Sequence, residues 1–159
     1  GLAPFAMLAS VLRKRGVETT LFYGGRSSTD LFHLDEFRQL GVRLKLATDD
    51  GSRGDLGNVT VPLTRVLDEV DRPAPVRLYA CGPTPMMRAV TELAATHGLT
   101  TEVSLEEVMG CGLGGCYSCV VPVQHKGVPV HFVRSCLDGP TFDGSTVAWE
   151  QLDEHRPIG

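Results

Sequence analysis

Four of the five cysteines in this 159-residue chain stand in a short, glycine-rich segment, with four, two and sixteen residues between them. They are Cys111, Cys116, Cys119 and Cys136. An odd total of cysteines without a secretory pattern argues against a disulfide framework. The order C-x4-C-x2-C followed by a distant fourth cysteine is typical of the ligands of a plant-type [2Fe–2S] centre.

Residue types around these cysteines favour the same centre. Thiolates are soft ligands that suit iron–sulfur clusters, although they also bind zinc. Structural zinc sites usually combine two close ligand pairs, and here Cys116 and Cys119 form the one C-x2-C pair. Glycines at 112, 114 and 115 can adopt positive φ and turn backbone N–H groups toward the sulfurs of a cluster. We predict a [2Fe–2S] centre, with a structural zinc site or four thiols without a metal as the alternatives, and with His125 and His131 as surface or hairpin residues.

Before this segment, helical and extended patterns alternate. Apolar periodicity predicts helices over 4–15, 30–40, 61–70 and 84–97, and strands over 17–23, 42–46, 76–80 and 101–103. Strands that alternate with helices of this length form parallel βαβ units. We therefore predict an α/β fold with an open parallel sheet.

Three loops of small and polar residues follow the predicted strands, at 23–26, 48–51 and 81–83. Ligands of open α/β sheets bind beyond the carboxyl ends of the strands, so we expect these loops to line one crevice. Thr84 is predicted to cap the following helix, with Pro85 at its first position, so that the helix N-terminus favours an anionic ligand. Cys81 is either part of this crevice or a buried small apolar residue.

From residue 106 onward the composition changes. Valine-rich runs at 120–123 and 130–133 flank Lys126-Gly127 and predict a β-hairpin, directly before Cys136. We predict a nucleotide-binding domain over 1–105 and a small cluster-binding domain over 106–159. A bound metal centre would add the stability that so short a lobe lacks.

The charge pattern narrows the class of partner. The formal net charge is −4 and the densest basic run is Arg13-Lys14-Arg15, which argues against nucleic acid and anionic membranes. No apolar run reaches the roughly 18 to 20 residues of a membrane span, and the first residues lack the pattern of a signal peptide. We expect a cytoplasmic chain whose partners are small molecules or proteins.

Short motifs across almost the whole chain carry a family resemblance. They are GLAPF at 1–5, FYGGR at 22–26, DLF at 30–32, TDDGS at 48–52, YACGP at 79–83, SLEE at 104–107, the cysteine loop, and CLDGPTF at 136–142. In this order they resemble the ferredoxin–NADP reductase superfamily, and within it the electron transfer subunits of class 1B dihydroorotate dehydrogenase. The resemblance implies transfer of electrons from dihydroorotate and the FMN of a catalytic partner subunit, through the cluster and FAD, to NAD, in pyrimidine biosynthesis.

The resemblance also implies a nucleotide site and a partner. The glycine turn from Gly1 to Pro4 would meet the pyrophosphate, and the nicotinamide would approach the flavin near the Cys-Gly-Pro turn. Arg26, after a predicted strand, is a candidate for the adenosine ribose or its 2′-phosphate, with a solvated loop arginine as the alternative. The full set of candidates is Gly1, Pro4, Tyr23, Gly24, Arg26, Asp49, Cys81, Gly82 and Pro83. A heterotetramer with the dihydroorotate dehydrogenase catalytic subunit is the implied assembly. Leu113, Tyr117 and Phe142 are predicted either to contact this partner or to pack within the small lobe.

Family members carry a flavin-binding barrel and a first nucleotide-domain strand ahead of the glycine turn. We therefore expect this chain to be a C-terminal portion, with FAD bound mainly by a preceding domain, and leave open whether the chain alone is an enzyme. An NAD(P)H–ferredoxin, sulfide dehydrogenase or hydrogenase electron-transfer subunit is one alternative. A non-enzymatic, zinc-stapled interaction module is an alternative of another class.

Overall fold

The computed structural model describes residues 1–69 and 75–155. The chain divides into two compact units, Gly1–Pro73 and Ala74–Gly159. Within the described ranges no helix combines the length and the apolar character needed to cross a bilayer.

The first unit is a three-stranded parallel sheet with three helices. Its elements in chain order are α1 (Ala3–Lys14), β1 (Thr20–Gly25), α2 (Leu34–Gln39), β2 (Arg43–Thr48), β3 (Asp55–Leu56) and α3 (Thr60–Glu69). The strands lie in the order β1-β2-β3, and β1 aligns with β2 so that Gly25 is opposite Thr48. Ala9, Phe37 and Val42 are buried together and form a core with the apolar face of α1. Burial of a side chain such as Phe37 stabilises the fold by about 1.5–3 kcal/mol.

A second sheet, in the unit 74–159, combines parallel and antiparallel pairing. Here the elements are β4 (Leu78–Cys81), α4 (Thr84–Thr96), β5 (Thr101–Ser104), β6 (Val120–Val123), β7 (His131–Arg134), α5 (Ser135–Asp138), β8 (Thr141–Asp143) and α6 (Trp149–His155). Helix α4 connects the parallel strands β4 and β5, and β8 adds to β5 in the antiparallel direction. Buried Met87, Val90 and Ala94 cover this sheet from α4.

The predicted hairpin is confirmed. Strands β6 and β7 pair antiparallel, with Val121 opposite Val133, and Val121 and Val123 are buried. The backbone around Ala148 fastens the hairpin to the following segment, because Ala148 N–H donates to Pro122 O and Gln124 N–H donates to Thr146 O. Cys119 and Cys136 stand just outside the two ends of this hairpin.

Some elements of the structure differ from those predicted. The helix predicted over 30–40 is replaced by a 3-10 turn at Ser28–Asp30 and the short α2, because the Asp30 carboxylate accepts the N–H groups of Arg26 and Ser27 and closes a turn there. Thr84 is not the cap of α4: Pro83 occupies that position and Thr84 is the first helical residue. Strands β3 and β8 and helices α5 and α6 were not predicted, and position 70, the predicted end of a helix, lies outside the described residues.

Parallel pairing, the main feature of the predicted fold class, is confirmed in both larger sheets. The predicted domain boundary between residues 105 and 106 stays a prediction. Strand β8 lies after the predicted boundary in sequence, and it pairs with β5, which lies before that boundary.

Candidate functional site

The cysteine loop is a segment without regular secondary structure between β5 and β6. Its backbone adopts the left-handed region at Gly112 (φ 65°), Gly114 (φ 80°) and Tyr117 (φ 58°). The prediction of positive φ is confirmed for Gly112 and Gly114, whereas Gly115 does not adopt it and Tyr117 does. These left-handed residues curl the loop back on itself, so that its N–H groups point inward.

Backbone N–H groups converge on the sulfur of Cys111. Leu113 N and Gly115 N each lie 3.3 Å from Cys111 Sγ, and Cys111 N lies 3.3 Å from Cys116 Sγ. The backbone N–H groups of Leu113, Cys116 and Gly115, that of Leu113 foremost, lower the pKa of Cys111 to about 6 because they stabilise its thiolate. Cys111 and Cys116 therefore form one close pair at the exposed end of the loop.

Cys119 and Cys136 form a second close pair. Cys119 is buried and directly precedes β6, and Cys136 lies in α5, after β7. Ser135 N–H donates to Cys119 O at 2.8 Å and Cys136 N–H donates to Cys119 Sγ at 3.5 Å. The hydrogen-bonded Cys119 side chain raises the pKa of Cys136. The hairpin thus brings together two cysteines that are far apart in sequence.

Two pairs are the arrangement that a binuclear cluster requires, because each of its two irons takes two protein ligands. A structural zinc ion requires its four ligands around a single point. Among the described residues no group of three or more His, Cys, Asp or Glu side chains is arranged around one point in that way. The two close cysteine pairs match the ligand arrangement of a [2Fe–2S] centre.

Arg134 braces the loop from the end of β7. Its Nη1 donates to Gly114 O at 2.6 Å, and its guanidinium carbon lies 4.9 Å from the centroid of the Tyr117 ring. An added Cβ at Gly114 would lie 2.5 Å from Leu137 Cδ1, so a side chain there would displace Leu137. Arg134 was not predicted, since nothing in the sequence distinguishes it from an ordinary surface arginine.

Large apolar side chains surround the exposed part of the loop, and we call them the apolar rim. Leu113 is 86% exposed and Tyr117 63% exposed. The remaining members are also exposed, namely Val108, Met109 and Leu137. Phe142 is only half-buried and packs over Gly139, where an added Cβ would lie 2.6 Å from its ring. Packing within its own unit therefore explains Phe142 without a partner.

In the first unit, the structure brings the ends of β1 and β2 together. Asp49 N–H donates to Gly25 O at 3.1 Å, and Asp50 N–H donates to Arg26 O at 3.2 Å. Arg26 and Asp49 are exposed there. Two further candidates support this edge of the sheet. The Tyr23 hydroxyl donates to Asp30 O at 3.0 Å, and Gly24 leaves room for Val59, 3.3 Å from where a Cβ would be.

The other nucleotide candidates lie at helix N-termini. Gly1 precedes α1 and Pro4 lies in its first turn, both exposed. In the second unit, Cys81 ends β4, Gly82 has φ 154° and Pro83 caps α4. Cys81 is buried, and this burial raises its pKa, so its thiol stays protonated and unreactive. That the loops at 23–26, 48–51 and 81–83 line one crevice stays a prediction.

Comparison with known proteins gives two family matches. The oxidoreductase NAD-binding domain matches residues 1–92, and the iron–sulfur cluster binding domain of dihydroorotate dehydrogenase B matches residues 106–148. The second match contains all four cysteines of the two pairs.

Individual relatives agree with these matches. Electron transfer subunits of dihydroorotate dehydrogenase B (NAD(+)) are 35% identical over 150 residues in Desulforamulus reducens and 39% identical over 147 residues in Bacillus caldolyticus. These alignments cover 94% and 92% of this chain but 56% and 53% of the relatives, so the chain spans about half their length. A solved structure of an NADH-dependent reduced ferredoxin–NADP oxidoreductase aligns with TM-score 0.78 and 29% identity, over 97% of this chain and 52% of its own.

Proposed function

Because the chain belongs to the oxidoreductase NAD-binding family and also matches the iron–sulfur cluster binding domain of dihydroorotate dehydrogenase B, we propose that it is part of an electron transfer subunit that links a dihydroorotate dehydrogenase to NAD. The observation that carries the proposal is the arrangement of four cysteines as two close pairs, with backbone N–H groups directed at Cys111 Sγ.

In this proposal Cys111 and Cys116 hold one iron of a [2Fe–2S] cluster, and Cys119 and Cys136 hold the other. When bound, such a cluster supplies a carrier for single electrons. The N–H groups of Leu113 and Gly115 stabilise negative charge on the ligand sulfur, and the apolar rim limits the access of water. Cys81 has no part in the proposed cluster, because it is buried at the end of β4 and lies outside the cysteine loop.

The nucleotide half of the proposal uses the strand ends. Gly82 leaves the backbone at the start of α4 accessible, and the first N–H groups of a thirteen-residue helix attract an anionic group. Arg26, exposed after β1, supplies a positive charge for the ribose or its phosphate. NAD is the proposed ligand, with Gly1, Pro4, Tyr23, Gly24, Asp49, Cys81 and Pro83 as the remaining candidates. FAD would bind mainly to a flavin domain of the complete subunit.

The proposed partner is the catalytic subunit of dihydroorotate dehydrogenase, in a cytoplasmic heterotetramer. An iron–sulfur centre on a surface loop transforms no substrate of its own, so it requires a donor and an acceptor close by. Electrons taken from dihydroorotate would leave the catalytic subunit through its FMN, and the reduced product of the path would be NADH. The names of the relatives, which are electron transfer subunits, support this partnership.

A second candidate function is a subunit that exchanges electrons between NAD(P)H and a ferredoxin. The solved oxidoreductase with TM-score 0.78 supports it, because its name describes that chemistry. The two candidates share the cluster and the nucleotide site, and they differ in the protein that docks on the apolar rim.

The cluster is tested first. Aerobically purified protein should contain about two irons and about two acid-labile sulfides per chain, with the red-brown spectrum of a binuclear cluster. Cys136→Ser should remove or shift that spectrum, since it takes one ligand from the second pair. Cys81→Ser is the matched control and should leave the spectrum unchanged. Stoichiometric zinc in place of iron, or an unchanged spectrum in Cys136→Ser, would contradict the cluster.

The partner is tested by activity. The complete subunit, mixed with the catalytic subunit from the same genome, should produce orotate together with NADH, and dihydroorotate should bleach the cluster. If the two proteins form no complex and dihydroorotate leaves the cluster oxidised, the ferredoxin-linked function replaces the pyrimidine assignment.

A further inference from the structure

Arg134 contacts the cysteine loop at two places and yet holds neither a cysteine nor, in the proposal above, a substrate. Its guanidinium donates to Gly114 O at 2.6 Å and stacks over the Tyr117 ring at 4.9 Å. The backbone of the same residue is also fixed, since Arg134 N–H donates to Asp138 Oδ2 at 3.0 Å. The side chain is half-buried, so these contacts are only partly exposed to water.

The carbonyl that Arg134 binds belongs to the peptide that donates to Cys111. Gly114 C=O and Gly115 N–H are the two ends of one planar peptide group, and Gly115 N lies 3.3 Å from Cys111 Sγ. A cation bound to the carbonyl end polarises the group and strengthens donation from the N–H end. Arg134 is thus connected to a sulfur of the first cysteine pair through a single peptide.

Leu137 also lies close to this peptide. Gly114 has φ 80°, and the position where its Cβ would lie is filled by Leu137, with Cδ1 at 2.5 Å. Arg134 directly precedes α5 and Leu137 is the third residue of α5, so the two residues lie on either side of Cys136 in sequence. The segment that carries Cys136, a member of the second pair, therefore contacts a peptide that serves the first pair.

We propose that Arg134 is a positioning residue that raises the reduction potential of the cluster by strengthening the hydrogen bond from Gly115 N–H to Cys111 Sγ. The inference rests on the proposed function, because it requires that the four cysteines hold a cluster. Hydrogen bonds to the sulfurs stabilise the reduced cluster more than the oxidised one, since the reduced cluster carries one more negative charge. The charge of the guanidinium acts in the same direction.

Three variants of the complete subunit test this role. Arg134→Met removes both the donor and the charge at similar length, and Arg134→Gln removes the charge but keeps an amide donor. Arg77→Met is the matched control, because Arg77 lies in the same unit and pairs with Glu102 at 2.7 Å instead of contacting the loop. Iron and sulfide content is measured first, then the midpoint potential by titration followed with electron paramagnetic resonance, and the Fe–Sγ stretching frequencies by resonance Raman.

At the parent's midpoint potential, the ratio of reduced to oxidised cluster should fall roughly tenfold in Arg134→Met, which is a shift of about 59 mV for a one-electron couple. Arg134→Gln should show a smaller shift in the same direction, and Arg77→Met should match the parent. Among the three variants, Arg134→Met should show the largest change in the Fe–Sγ frequencies, or the only one. A purely structural contact would not change these frequencies.

Each other outcome overturns a defined claim. A parental potential in Arg134→Met with a full cluster overturns the inference, and so does an equal shift in Arg77→Met. If Arg134→Met does not retain the cluster, Arg134→Gln decides, and a parental potential there overturns the inference. Loss of the cluster from both variants, with unchanged circular dichroism, assigns Arg134 a structural role and also overturns it. A parent without iron and sulfide overturns the proposed function instead.

Discussion

Glycine positions show how far single residues can be interpreted from sequence. The cysteine spacing and the glycines between the cysteines predicted a curled loop, and Gly112 and Gly114 adopt positive φ as expected. Tyr117 also adopts it, although a tyrosine rarely does. The reason is a long-range contact, since the ring of Tyr117 lies against Arg134, which the hairpin brings back to the loop. Such a contact has no signal in the local sequence.

Gly54 and Gly41 offer a matched test of crowding at positive φ. Their φ angles are nearly equal, 76° and 73°, but an added Cβ at Gly54 would lie 2.1 Å from Leu46 O, whereas nothing lies within 4 Å at Gly41. Gly41→Ala should lower the free energy of unfolding by about 1–2 kcal/mol, the cost of the left-handed region alone. Gly54→Ala should lower it by about 3 kcal/mol or more, because the backbone must also move.

Urea denaturation of both variants measures the difference. Equal losses would contradict the crowded position of Gly54 beside β2. Because Gly54 lies in the turn between β2 and β3, Gly54→Ala should also disturb residues 48–51, at the end of β2 where the nucleotide site is proposed.

At the scale of elements, the sequence predicted those whose apolar pattern is long enough to stand out. Helices α1 and α4, strands β1, β2, β4 and β5 and the β6–β7 hairpin were all predicted with shifted ends. Strands β3 and β8 have two and three residues, too few for a periodic pattern. Strand β8 exists because β5 provides its pairing partner from far back in the chain, which no local pattern could indicate.

The junction of β4 and α4 can be tested by substitution of Gly82. Gly82 has φ 154°, and an added Cβ would lie 2.9 Å from Met86 Cε. In the complete flavoprotein, Gly82→Val should slow the reduction of the flavin by NADH by about tenfold or more, since small displacements of a binding backbone have large effects on rate. The spectrum of the cluster should stay unchanged.

Gly98→Ala, just past the other end of the same helix, is the control, because nothing lies within 4 Å of its Cβ position. It introduces a left-handed alanine without approaching the turn. Rates in Gly82→Val that equal those of the parent, measured by stopped-flow reduction, would remove Gly82 from the nucleotide site.

For the whole molecule, the sequence predicted the protein family but only part of the proposed docking surface. The order of the motifs indicated the family, and the family matches over 1–92 and 106–148 agree with it. Leu113, Tyr117 and Phe142 were predicted as contacts with a partner, and exposure now favours the first two. Phe142 packs within its own unit, over Gly139. The sequence did not indicate this packing, because β8, the strand that contains Phe142, was not predicted.

Leu113→Asp tests the apolar rim. Leu113 is 86% exposed and contributes to the cysteine loop through its backbone N–H, so the substitution should leave the cluster intact. A charge in the centre of an apolar contact should weaken binding to the catalytic subunit by about tenfold to a hundredfold. Val128→Asp, at an exposed position in the turn of the hairpin, is the control and should bind like the parent. Isothermal titration calorimetry gives both affinities, and parental affinity in Leu113→Asp would exclude the rim as the docking surface.

The pairing of β5 with β8 also determines how the cluster segment is attached. Ser104 is opposite Thr141, and Leu105 N–H donates to Pro140 O, so the chain leaves the sheet and returns to it at adjacent positions. All four cysteines of the two pairs lie in the segment between β5 and β8, whose ends are held together by this pairing. The entropy of closing such a loop grows only with the logarithm of its length, by about 0.6 kcal/mol for each doubling. Lengthening, shortening or replacing the segment between β5 and β8 during evolution therefore costs little folding free energy, provided that the two strands keep the same register.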